Sequence, residues 1–296
     1  MTKTRFETFA SGRDIIILDG PIGTELTLRG IDTPPPLWSA DAITNSPQTI
    51  SAIHQDYAAA GSRVHTAVTF RTKCSDAGHQ WKRLTEQAIN ITRDAIPNDH
   101  FVAGSISPIA DCYRPDLSPP DPIEPHRRMA NHLAQCGCDL ILCETFPHSG
   151  EAIAALRASV TTGLPVWLAM TAGPEGDLMS PDQMSETAKR AEQEGASAIL
   201  INCTPATQTQ RFIDAFADAK LSVRFGAYAN AGSVHDQIGW QTKDVHATER
   251  YSRFAKGWIQ SGATIVGGCC GTRPEHISAV AEAILNTEIP GHTNDP

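Results

Sequence analysis

The sequence predicts an α/β protein of one domain, a (β/α)8 TIM barrel, on three observations. Short apolar runs alternate with helical patterns from end to end, there are eight such runs, and no long Gly/Ser/Pro linker divides the 296 residues. Near-continuous apolar strands separated by helices describe a parallel sheet covered on both faces. Eight of them, closed, make a barrel of ordinary length. An open doubly wound sheet is the alternative that the pattern leaves.

The runs fall at 15–18, 63–67, 101–105, 140–143, 166–170, 198–202, 223–227 and 264–266. Each is five residues long or shorter, and most are rich in Ile, Val and Leu, as buried strands are. The stretch 125–136 reads as a helix, with Met129, Leu133 and Cys136 on one face. The last helix, 274–285, places Ile277, Val280, Ala281, Ile284 and Leu285 on one stripe. Pro274 opens it, where a missing N–H costs least. Residues 33–36 and 115–125 read as stiff proline-rich loops after the first and third strands. The division is an N-terminal segment at 1–12, the barrel at 13–286 and a loose tail at 287–296.

A net charge of −9 argues against a nucleic-acid partner. No apolar stretch approaches the roughly 20 residues that span a bilayer, and residues 1–7 lack the apolar core of a signal peptide. Eight cysteines in that context imply a reducing, cytoplasmic setting, with thiols or metal ligands rather than disulfides. Small molecules are the expected partners, and oligomeric state is not readable.

Reactive residues of such barrels come from the C-terminal ends of strands. Gly267-Gly268-Cys269-Cys270-Gly271 follows the eighth strand, and Cys203 ends the sixth. Adjacent strand residues point to opposite faces, so both thiolates reach one ion only if the backbone turns, which the glycines permit. Three thiolates with no local Cys-x2-Cys spacing suggest zinc with one open position, the catalytic arrangement. Cys136, Cys138 and Cys143 read as small buried hydrophobes, and Cys74 and Cys112 as loop thiols. His54, His65, His79 and His100 show no ligand spacing and read as surface or supporting residues.

Asp19 and Glu144 follow apolar strands and face the barrel mouth. Two carboxylates beside a cation make sense for a ligand with an ammonium group. Gly20 to Gly23 offer backbone N–H groups that suit its carboxylate. Together they describe an amino-acid site with a metal at the side-chain end.

Asp-Gly-x-x-Gly-Thr-Glu-Leu at 19–26, Gly-Ser-Ile at 104–106, Glu144-Thr145, Ile201-Asn202-Cys203, Tyr-x-Asn-Ala-Gly at 228–232 and Gly-Gly-Cys-Cys-Gly at 267–271 resemble the zinc-dependent homocysteine S-methyltransferase family. The resemblance covers residues 19–272 in order. It implies that Cys203, Cys269 and Cys270 bind Zn2+ and that the homocysteine sulfur takes the fourth position as a thiolate. It implies that Glu144 and Asp19 hold the ammonium, that backbone near Gly20 and Gly23, with Thr145, holds the carboxylate, and that Asn230 fills the fourth site when substrate is absent. Leu-Trp-Ser-Ala at 37–40 is similar to the stand-alone enzymes that use S-methylmethionine or S-adenosylmethionine. A sulfonium donor favours aromatic faces, and Trp38, Phe70, Phe146 and Tyr228 are the candidates. Two departures border that pocket: apolar Ala67 and Val68 where relatives often carry polar residues, and Ser107 where glycine is common.

Overall fold

Eight parallel strands form where the apolar runs predict them: β1 (Ile16–Ile17), β2 (Val64–Thr66), β3 (Phe101–Ile106), β4 (Leu140–Phe146), β5 (Val166–Met170), β6 (Ala198–Pro205), β7 (Arg224–Asn230) and β8 (Ile265–Gly268). The structure, a computed structural model, describes residues 3–240 and 244–285. The expected tail at 287–296 therefore lies outside the described residues. Strand order is β1-β8-β7-β6-β5-β4-β3-β2. A bridge between Leu18 and Val64 brings β1 back to β2. Arg63 N–H donates to the Ile17 carbonyl at 2.9 Å and Asp19 N–H to that of Val64 at 3.1 Å, which closes the barrel.

Side-chain parity sorts the apolar residues into two layers. Ile16, Leu18, Val64, Phe101, Ala103, Leu140, Leu142, Trp167, Leu200 and Ile265 fill the interior. Val102, Ile141, Cys143, Leu168, Ile199, Ile201 and Val266 face outward to the helices. The helix Ile123–Gln135 buries Met129 and Leu133 against that outer layer, and Pro274–Leu285 buries Ile277 and Val280.

The floor is closed by a short helix, Arg5–Ser11, started by a reciprocal cap between Thr4 and Glu7. Its Phe6 stands edge-on to Phe101 (5.2 Å between centroids) and to Trp167 (5.6 Å). The open end is therefore the C-terminal one.

Strands β3, β4, β6, β7 and β8 run past their expected ends. β4 and β6 continue through register shifts after Cys143 and after Asn202. Each shift holds a non-glycine residue at positive φ, Thr145 at 64° and Cys203 at 47°. A bulge reverses the parity of everything beyond it. Cys203 would face outward by its distance from Ile201, yet it lies in the interior cluster. Phe146 would face inward from Leu142 and Glu144, yet it lies in the outer one.

Candidate active site

The three sulfurs expected to converge do so. Those of Cys203, Cys269 and Cys270 lie within 4.8 Å of one another at the top of the barrel. Cys203 and Cys269 are 7% and 8% exposed and are joined as a disulfide, with a Cα–Cα separation of 5.7 Å; Cys270 is free beside them. Sulfurs held closely enough to bond to each other are also close enough to share an ion once reduced. Backbone pairing fixes the corner: Cys269 N–H donates to the Ala229 carbonyl at 2.9 Å, and the Cys270 carbonyl accepts from Ala231 at the same distance. Gly271, at φ 82°, supplies the turn. Gly267 and Gly268 do something else, because a Cβ there would strike Leu18 and Thr272. Burial raises the Cys270 pKa, so the thiol stays protonated without a cation beside it. Three soft, buried donors with a partly exposed face fit zinc.

Asp19 and Glu144 are 2% and 8% exposed. Asp19 accepts from Thr66 N–H at 2.8 Å and Thr66 Oγ1 at 3.0 Å. Glu144 accepts from Ser105 Oγ and, at 3.0 Å, from the Tyr228 hydroxyl. Burial pushes both carboxyl pKa values up, and the Glu144 charge adds to the rise at Asp19. Among the described residues neither makes an ion pair. Two buried carboxylates without a cation, beside a thiol cluster, ask for a ligand with an ammonium at one end and a sulfur at the other.

The family profile described as homocysteine S-methyltransferase matches residues 16–284. The chain belongs to that family. It is an enzyme of the homocysteine S-methyltransferase class, and its fold agrees. Homocysteine S-methyltransferase YbgG of Bacillus subtilis (strain 168) is 28% identical to it, over 90% of this chain and 93% of that one. Selenocysteine Se-methyltransferase of Brassica oleracea var. italica is 26% identical, over 96% and 95%. The metallated form of the homocysteine methyltransferase MmuM from Escherichia coli superposes with a TM-score of 0.76 at 23% identity, covering 94% of this chain and 99% of that one.

The other residues expected in this homocysteine S-methyltransferase's site fall in different places. Thr145 is bound to Asn202 twice: its N–H donates to Asn202 Oδ1 at 3.0 Å, and Asn202 Nδ2 donates to Thr145 Oγ1 at 2.7 Å. The pair spans the end of β5 and holds both bulges. Asn230 fastens Cys203: its Nδ2 donates to the Cys203 carbonyl at 3.0 Å and its Oδ1 accepts from Gly232 N–H at 2.8 Å. Gly20 is set by close packing, since a Cβ there would meet the Tyr57 ring at 2.7 Å. A Cβ at Gly23 would make only ordinary contact, with Ser39 at 3.9 Å, and Gly23 lies in the helix Ile22–Leu28, whose start no side chain caps.

Of the aromatic candidates, Tyr228 is buried and committed to Glu144. Phe146 is corrected: it is fully buried outside the barrel wall, 5.6 Å from the His126 ring. Trp38 is half exposed at the rim, and Phe70 lies near it across Arg71.

Sequence reasoning missed the buried histidines. His54, His65 and His100 come from three elements, and His65 Nε2 lies 3.0 Å from His100 Nδ1. It also missed Tyr113, which packs on the interior cluster beside the cysteines. Tyr113 rides on the loop 109–118, and buried Glu151 holds both ends of that loop. Glu151 accepts from Ile109 N–H at 2.7 Å and Ser118 Oγ at 2.6 Å, and lies 3.2 Å from His126 Nε2. Burial alone would raise its pKa. The bonds from His126, Ile109 and Ser118 outweigh that and bring it below the ordinary value. Glu151→Ala is expected to cost about 3 kcal/mol in urea unfolding at neutral pH, because it strands buried donors. For a depressed carboxyl, stability is present above the unfolded pKa and is lost as pH falls through the folded one. The wild type should therefore lose its advantage over the variant on acidification below the ordinary 4.5.

Proposed function

We propose that this enzyme transfers a methyl group from a small onium donor, S-methylmethionine or S-adenosylmethionine in preference, to the thiolate of homocysteine, giving methionine. The observation that carries the reading is the convergence of three cysteine sulfurs within 4.8 Å, beside two buried carboxylates that lack a cation. Cys203, Cys269 and Cys270 would hold zinc, which when bound keeps a substrate thiol deprotonated at neutral pH. Glu144 and Asp19 take the substrate ammonium, with Ser105, Tyr228 and Thr66 fixing their orientation. Amide groups at the start of the helix Ile22–Leu28, and the Thr145 hydroxyl, would take the substrate carboxylate. The sulfur lone pair forms the new S–C bond as the C–onium bond breaks, and that electron pair leaves with the neutral donor residue. The thiol proton is released when the thiolate forms, and none moves in the transfer itself, so the chain's contribution is to align the partners and exclude water.

Freshly reduced protein is expected to bind about one zinc per chain and to make methionine from homocysteine and S-methylmethionine, followed by chromatography. No methionine from any sulfonium or betaine donor would remove this reading. Selenocysteine is the second acceptor to test, because relatives named for its methylation are as similar as those named for homocysteine. Competition between the two acceptors decides the order.

A further inference from the structure

The donor side of the mouth carries the wrong charge for a bare sulfonium. Arg71 and Lys73 follow Phe70 on the loop after β2. The Arg71 guanidinium lies 5.8 Å from the Trp38 ring centroid and 5.6 Å from that of Phe70, and Lys73 Nζ lies 5.9 Å from Phe70. The aromatic faces expected to receive the donor's cation are thus occupied by the protein's own cations.

Both side chains are mostly buried, Arg71 21% and Lys73 12% exposed. They share a single carboxylate, Asp76, at 3.3 Å and 2.7 Å. Among the described residues, two positive charges are thus set against one carboxylate in a partly desolvated place. Ser107 fixes the arrangement: Lys73 Nζ donates to its Oγ at 3.0 Å, and that hydroxyl donates to the Phe70 carbonyl at 2.6 Å. Behind Lys73 lies a cavity of about 180 Å³, lined by Thr69, Ser75, Ser107, His126 and Arg128 among others. Among the described residues lining it there is no Asp or Glu.

We propose that Arg71 and Lys73, anchored by Ser107, form a subsite that reads a carboxylate on the methyl donor, so that the enzyme selects zwitterionic donors over purely cationic ones. The proposal rests on the methyl-transfer reading above and names the donor class within it. An arginine fork matches a carboxylate in two parallel hydrogen bonds. The same charges repel an onium compound that lacks one, which sharpens selection.

The test uses S-methylmethionine and its carboxamide, which differ only at the carboxyl group. In wild-type holoenzyme the acid is expected to show a KM about ten- to a hundredfold below the amide, the scale of a charge-assisted contact. Arg71→Gln and Lys73→Met should each raise the KM of the acid, leave the KM of homocysteine alone, and bring acid and amide together. Ser107→Ala, which frees Lys73 while keeping both charges, should give a smaller shift in the same direction. Equal shifts for both donors, or no preference in the wild type, would overturn the subsite. If no donor turns over, methyl transfer itself fails, and calorimetric titration of the two donors still decides: tighter acid binding in wild type alone supports the subsite. Equal binding, or none, overturns it. Thermal melts of each variant confirm folding.

Discussion

Cys269→Ser is expected to strip the metal and lower methyl transfer about a thousandfold or more, while leaving the barrel folded. The size follows from what is lost together. Without a cation among the sulfurs, the substrate thiol has its ordinary pKa near 8.5 and is a few per cent ionised at neutral pH. Its alignment with the donor methyl, worth several orders of magnitude in such reactions, is lost as well. The fold should survive because Cys269 is placed through its main chain: its N–H donates to the Ala229 carbonyl, and its carbonyl accepts from the Thr272 hydroxyl at 2.8 Å, neither of which needs the sulfur. Metal analysis of reduced protein, with circular dichroism alongside, checks both halves. Cys74→Ser, at an exposed position on a different loop, should keep metal and activity. Full zinc occupancy in Cys269→Ser would show that the ion, where it binds, does not depend on this sulfur.

Much of this arrangement was legible from residue order, and the remainder was hidden for definite reasons. Near-continuous apolar runs marked most of the strands, because a strand buried on both faces has few polar positions to confuse the reading. The glycine frame around Cys269 and Cys270 points to a metal corner from sequence alone. The bulges did not show. A positive φ at Thr145 or Cys203 leaves no compositional trace, since neither residue type favours it. Cys203 was assigned to the site by its partnership with the other cysteines, and the structure adds the bulge that turns it inward. Phe146 was misplaced for the same cause, one register shift beyond Glu144. His54, His65 and His100 lie far apart in sequence, on a helix, a strand and the residue before a strand, so no local spacing could join them. Tyr113 sits in a loop whose position depends on Glu151, thirty-eight residues later in the chain. The charges at Arg71 and Lys73 were visible, but not that they cover the aromatic faces beside them.

Glu144→Gln should separate stability from affinity. Burial raises the Glu144 pKa, so the ionised carboxylate is a cost to the substrate-free fold. For an acid whose folded pKa is raised, the folded state binds more protons between the ordinary and the raised value, and stability falls as pH rises through that window. Replacing the charge with an amide removes the cost, and Gln can still accept from Tyr228 and donate to Ser105. The substrate-free variant is therefore expected to be about 1 kcal/mol more stable at neutral pH. The same change removes half of the ammonium's counter-charge. Losing one partner of a buried charge pair costs about 3 kcal/mol, so the KM for homocysteine should rise about a hundredfold, with kcat little changed. In the wild type, acidification protonates Glu144 and Asp19 at pH values above the ordinary carboxylate range, and the KM should climb there; the Glu144 share of that climb should be missing in the variant. The discriminating substrate is 4-sulfanylbutanoate, homocysteine without its amino group. With no ammonium to hold, it should react poorly with wild type and no worse with Glu144→Gln. If the variant slowed both thiols equally, Glu144 would be acting on the sulfur end, and the ammonium clamp would have to be sought elsewhere.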